Sequence, residues 1–128
     1  MTAKKRVLKI SLIVVWMICL VAMGALSLIP DLFKAGHNED KNLHMLAYAV
    51  MTSGAMVVLP GKKLKICAII GLFGMGWGIE YLQSMIGGRE SSVQDGLANI
   101  MGMIIGCITG LLINSGYKKP TLSRGGNN

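Results

Sequence analysis

Residues 66–86 read ICAIIGLFGMGWGIEYLQSMI. The stretch is long enough to cross a bilayer, since about 20 helical residues rising about 1.5 Å each span a hydrocarbon core of about 30 Å. Its only charged residue is Glu80. Three further apolar runs occupy 10–29, 43–59 and 97–113, and the segments between them, 30–42, 60–65 and 87–96, together with the tail from Ser115, hold most of the charges and all 3 prolines. Helices are predicted over about 8–29, 42–59, 65–86 and 96–114, with a flexible tail over 115–128.

Composition points the same way. Of 128 residues 52% are hydrophobic and 15% charged, too few charges for the surface of a water-soluble domain of this size. In lipid every backbone N–H and C=O must be satisfied within its own segment or in a closed barrel. Long apolar runs without strand alternation select the helical solution. The expected class is therefore all-α, a single domain over 1–128 built as an integral membrane bundle of four transmembrane helices.

Orientation follows from the 13 Lys and Arg, because short basic loops stay on the cytoplasmic side. Lys4, Lys5, Arg6 and Lys9 precede the first run, Lys62, Lys63 and Lys65 lie between the second and third, and Lys118, Lys119 and Arg124 follow the fourth. Only Lys34, Lys41 and Arg89 fall on the other side. Both termini are expected in the cytoplasm of a multi-pass cell-membrane protein, and the net charge of +7 reflects topology rather than nucleic-acid binding. The first run has the basic start of a secretory signal but is too long for one, so it is expected to remain as a helix. Cys19, Cys67 and Cys107 fall inside predicted helices at unrelated depths and read as small apolar residues. No cofactor motif or metal-ligand spacing is present.

Small residues let membrane helices approach closely. Ala98, Gly102, Gly106 and Gly110 form one stripe in the fourth segment, and Gly71, Gly74 and Gly78 another in the third, so these two segments are expected to pack together. Gly76 reads as a point of flexibility beside Trp77, and Trp16 as a lipid-facing or core residue.

Chemistry, if present, lies in residues that membrane segments avoid. Lys41, His44 and Tyr48 share one face at the outward end of the second helix, Glu80 and Gln83 one face of the third, and Asn99 follows Asp95 by one turn in the fourth. Arg89 lies in the loop between the last two. Glu80 needs a partner, with Arg89, His44 and Lys41 available. The residue types suit acid–base work by Glu80, His44 and Asp95, and ligand contacts from Lys41, Tyr48, Gln83, Arg89 and Asn99. The alternative is a hydrogen-bonded clamp that pins helix ends together. Asp95, Ser91 and Ser92 are also placed to cap the fourth helix, and His37 reads as solvated.

The order Asp40-Lys41-x-x-His44-x-x-x-Tyr48, then Gly78-x-Glu80-x-x-Gln83, then Arg89 and Asp95-x-x-x-Asn99-x-x-Gly102 resembles the VanZ-like membrane family over about 40–110. The resemblance implies a bacterial cell-envelope setting and a link to glycopeptide resistance, with no molecular activity attached, and it adds Asp40 to the ligand-contacting positions. Two function classes follow. One is a binding protein for an envelope lipid, glycopeptide or wall precursor; the other is a membrane enzyme of phosphoryl or glycosyl transfer on a lipid-linked substrate. Membrane lipids are the expected surroundings, nucleic acid is not an expected partner, and four short helices would form a channel only as a homo-oligomer.

Overall fold

The computed structural model describes residues 2–29, 37–85 and 93–117, excepting the side chains of residues 37–40 and 117. Four helices follow in order: α1 (Ala3–Ser27), α2 (His37–Val58), α3 (Gly61–Met85) and α4 (Val93–Tyr117). No strand occurs among the described residues. Each helix outruns the apolar run that predicts it. α2 takes in His37 and its polar neighbours, α3 takes in Lys62 and Lys63, and α4 continues to Tyr117. Charged residues at a helix end do not stop it, because the backbone ladder persists past the apolar run.

What does stop a helix is visible between α2 and α3. Pro60 disfavours the helical conformation in the residue before it, and Leu59 closes α2 with an N–H bond of 3.1 Å to the carbonyl of Ala55. Gly61 then turns the chain at φ 74°, a conformation that a residue without Cβ adopts cheaply.

α1, α3 and α4 are long and apolar enough to cross a membrane, which marks a multi-pass membrane protein. α2 falls short by composition, with Glu39, Asp40 and Lys41 in its first turns. Much apolar surface faces outward, including Ile70 at 64% and Leu112 at 68% exposure, as expected where lipid replaces water. The interior draws on all four helices: Tyr48, Leu72 and Met103 are buried together, with Leu20, Met23, Met51, Ile69 and Met75 packed around them.

The closest pairing corrects the expectation from the glycine stripes. α4 packs most extensively on α2, not on α3. A Cβ on Gly102 would collide with the carbonyl of Met45, and one on Gly110 with Cβ of Met56. On Gly106 it would lie 2.5 Å from the carbonyl oxygen of Ala49 and 2.7 Å from Cβ of Thr52. Residue numbers rise together along both helices, so α2 and α4 run parallel and in register. Gly71, Gly74 and Gly78 have nothing within 4 Å of their Cβ positions. The reason is periodicity: α3 buries Leu72, Gly76, Ile79, Glu80 and Gln83, spaced three or four apart, which turns the other glycines outward.

α1 completes the bundle through Trp16. Its indole sits where a side chain on Gly54 would stand, and its Nε1–H donates to the Met51 carbonyl at 3.0 Å. Trp16 is thus a core residue and not a lipid-facing one. At the basic end Lys65 Nζ and Asn114 Nδ2 both donate to the carbonyl of Met56, at 2.5 and 2.8 Å, satisfying an acceptor in the last turn of α2.

Candidate functional site

The opposite end of the bundle gathers the start of α2, the end of α3 and the start of α4. Six polar or ionisable side chains from these helices are buried, none more than 9% exposed: Tyr48 and Thr52, Glu80 and Gln83, Asp95 and Asn99. The sequence explains their convergence. Tyr48 and Thr52 are one turn apart, as are Asp95 and Asn99, and Gly76 stands one turn before Glu80, so each helix presents one polar strip inward. The parallel register of α2 and α4 then stacks the strips in layers.

The layer nearest the helix ends holds Glu80, Gln83 and Asp95, with half-buried His44 and Lys41 on α2. Lys41 Nζ donates to Oε1 of Gln94, tying α2 to the first turn of α4. Gln83 Nε2 donates to the carbonyl of Ser27 at 2.6 Å, so one amide hydrogen of this residue serves the C-terminal end of α1. Asp95 lies in the first turn of α4, where the helix dipole favours a negative charge.

One turn deeper, Tyr48, Gly76 and Asn99 meet. The Cβ position of Gly76 is 3.1 Å from Tyr48 Oη and 3.3 Å from Asn99 Nδ2. Any larger residue at position 76 would push these two side chains apart. Glu80 is close enough to Tyr48 to couple with it electrostatically. One turn deeper again, Thr52 lies against Gly106.

Hydrogen bonding in these deeper layers is incomplete. Tyr48 Oη, Thr52 Oγ1 and Asn99 Oδ1 are buried without a hydrogen-bond partner among the described residues. Buried polar atoms are nearly always satisfied by protein, water or ligand, and an orphaned one costs about 1–3 kcal/mol. Beside Tyr48 and Asn99 lies a small, partly open cleft of about 10 Å³, lined also by Gly76, Trp77, Gly96 and Ile100. The Trp77 ring lies over Gly96, 3.5 Å from its Cβ position, and meets Phe73 edge-on at 6.4 Å between centroids.

Of the residues singled out in the sequence, the structure brings together Lys41, His44, Tyr48, Glu80, Gln83, Asp95 and Asn99. Arg89 lies outside the described residues, as do Ser91 and Ser92, and the side chains of His37 and Asp40 are likewise not described. Thr52 and Gln94 escaped sequence reasoning, and Gly76 was read there as a point of flexibility. Thr52 carried a signal, standing four residues after Tyr48. In the structure Gly76 leaves room for Tyr48 and Asn99. No family model, curated protein or solved structure matches the chain.

Proposed function

We propose that all four helices cross the cell membrane with both termini in the cytoplasm, and that the buried polar layers at the outward end bind a cell-envelope lipid, glycopeptide or wall precursor. The observation that carries the binding role is the set of orphaned atoms, Tyr48 Oη, Thr52 Oγ1 and Asn99 Oδ1. A clamp that existed only to hold helices together would gain by satisfying its own groups. A site shaped for a ligand leaves donors and acceptors for that ligand to complete. Lys41 and Arg89 supply positive charge for an anionic headgroup, and Asp95 and Asn99 supply acceptors. The likeness to the VanZ-like family supports a bacterial envelope setting and a role in glycopeptide susceptibility.

The crossing of α2 is supported by its partner. It runs about 33 Å at about 1.5 Å per residue, parallel to α4 from Lys41 beside Gln94 to Met56 beside Asn114. Chemical labelling of intact cells tests the topology. In a background where Cys19, Cys67 and Cys107 are replaced by Ala, a cysteine at Gln94 is expected to react with an impermeant maleimide from outside, and cysteines at Lys4 and Gly116 only after permeabilisation. Labelling of Lys4→Cys in intact cells would reverse the orientation.

Binding and catalysis separate at His44 and Arg89. Arg89→Ala is expected to weaken capture of an anionic lipid by about tenfold, the scale of a charge-assisted hydrogen bond. His44→Gln is expected to leave capture within about threefold, because a glutamine amide can replace a neutral imidazole as donor or acceptor but cannot shuttle a proton. If His44→Gln retains capture but abolishes turnover of that lipid, the site is an acid–base enzyme rather than a receptor.

A further inference from the structure

At the other end of the bundle positive charge goes unanswered. The first turns of α1 carry Lys4, Lys5, Arg6 and Lys9, and those of α3 carry Lys62, Lys63 and Lys65. All 6 Asp and Glu residues fall within 31–40 and 80–95, at or between the opposite ends of the helices. Along α1, along α2 beyond Asp40 and along α3 as far as Ile79, the chain carries no carboxylate.

The two basic clusters share one level. α1 runs parallel to α3, since Gly24 stands beside Met75 and the Ser27 carbonyl accepts from Gln83. Counting back along both helices from these contacts sets Lys9 level with about residues 60–65. The contact with α2 agrees. Trp16 donates to the Met51 carbonyl, and two turns nearer the basic end Lys9 comes level with Val58, the last residue of α2.

Lys9 differs from the other cations of α1. Lys4, Lys5 and Arg6 are exposed, as are Lys62 and Lys63, but Lys9 is half-buried. It continues the stripe of Ile13, Trp16, Leu20 and Met23 that α1 turns toward the bundle. Lys65, also half-buried, is already held on the carbonyl of Met56. Lys9 therefore stands at the rim of the bundle with its charge uncompensated by any carboxylate.

The position of the cations selects the anion. They border the apolar runs that begin at Ile10 and Ile66, where the phosphate layer of a bilayer meets its hydrocarbon core. Ile10, Leu64, Ile66 and Ile70 are exposed beside them. A phospholipid places a phosphate and acyl chains at these two depths together, whereas a soluble anion leaves the apolar turns unused and a nucleic acid has no route past them to Lys9.

We propose that the basic end binds an anionic phospholipid, with Lys9 on the phosphate, the exposed lysines of both helices adding to the attraction, and the acyl chains along the turns that follow Ile10 and Ile66. This site is separate from the polar layers at the opposite end. It rests on α1 and α3 crossing a membrane and not on any ligand of those layers.

The test offers the full chain, in a neutral detergent, equal amounts of phosphatidylglycerol and phosphatidylcholine and counts the bound lipids by native mass spectrometry. The wild type is expected to retain phosphatidylglycerol about tenfold over phosphatidylcholine, the scale of one charge-assisted hydrogen bond. Lys9→Gln should remove that preference and Lys9→Arg should keep it, a pattern that side-chain packing alone would not give. Lys62→Gln combined with Lys63→Gln should lower it about two- to fivefold, as suits exposed charges.

Arg89→Ala reports on the opposite end. Preference lost in Lys9→Gln and kept in Arg89→Ala supports the proposal, and a partial loss in each supports it with a second anionic-lipid site. Preference lost only in Arg89→Ala overturns it and leaves the binding role of the polar layers standing. Equal capture of the two lipids by the wild type overturns it as well. Displacement of phosphatidylglycerol by inorganic phosphate would show that the cluster takes the free anion, and the lipid assignment would fall.

Discussion

Gly106→Leu is expected to lower the apparent melting temperature of the detergent-purified protein by on the order of 10 °C or more, or to prevent its accumulation in the membrane, whereas Gly74→Leu stays within about 2 °C of wild type. Both changes exchange glycine for a better helix former, so intrinsic propensity favours both. Packing decides between them. At Gly106 the first added carbon already falls 2.5 Å from a backbone carbonyl oxygen and 2.7 Å from Cβ of Thr52. Neither can swing aside as a flexible side chain would, so α2 and α4 must separate. Overpacking costs about 1–3 kcal/mol even where side chains can adjust, and here the contact that must open is the most extensive in the bundle. At Gly74 nothing lies within 4 Å, and the new side chain enters lipid. A thermal melt of the two variants side by side checks the pairing. Equal destabilisation would mean that α3 uses its glycine stripe after all.

Charge reversal at Glu80 is the second large effect. Glu80→Lys is expected to remove most folded protein from the membrane, while Tyr81→Lys at the adjacent position accumulates normally. Glu80 is 5% exposed and Tyr81 67% exposed. A lysine at 81 can extend its ammonium to the polar layer along the outside of the bundle. At 80 the side chain points inward, at the end of the bundle that already holds Lys41 and His44 on α2, and an ammonium replaces a carboxyl group there. Uncompensated charge in such surroundings costs about 3 kcal/mol or more, a large share of the stability of a small bundle. Size-exclusion chromatography of detergent extracts checks this. A monodisperse Glu80→Lys protein at wild-type yield would show that the position is open to solvent.

How much of this was readable beforehand differs by level. Apolar length alone locates the four helices, three of them long and apolar enough to cross a membrane, yet their ends are misplaced by several residues where charged turns of α2 and α3 continue the backbone ladder. Helix pairing is not legible. A four-residue glycine spacing says that a face is approached closely and does not name the partner. The stripes of α3 and α4 look alike in sequence, and only the competing demand of Glu80 and Gln83 to lie inside turns Gly71, Gly74 and Gly78 out. The polar layers are legible to the extent that their residues are rare in lipid. Glu80, Asn99 and Tyr48 stand out for that reason, while Thr52 does not, since a threonine in a membrane helix commonly bonds its own backbone. The vacancy at Gly76 that seats Tyr48 against Asn99 has no signature beyond smallness.

Thermal unfolding of the purified protein in detergent, for wild type and Glu80→Gln, with and without a panel of envelope lipids and glycopeptides, tests the central claim most directly. A ligand at 100 times its Kd stabilises a folded protein by about 2.7 kcal/mol, a shift of several degrees. The binding role predicts that at least one panel member raises the wild-type melting temperature, that Glu80→Gln alone melts within about 2 °C of wild type, and that this variant loses the ligand's effect. Contradiction would be a wild type that no panel member shifts, together with a Glu80→Gln protein that melts far lower unliganded, the behaviour of a clamp.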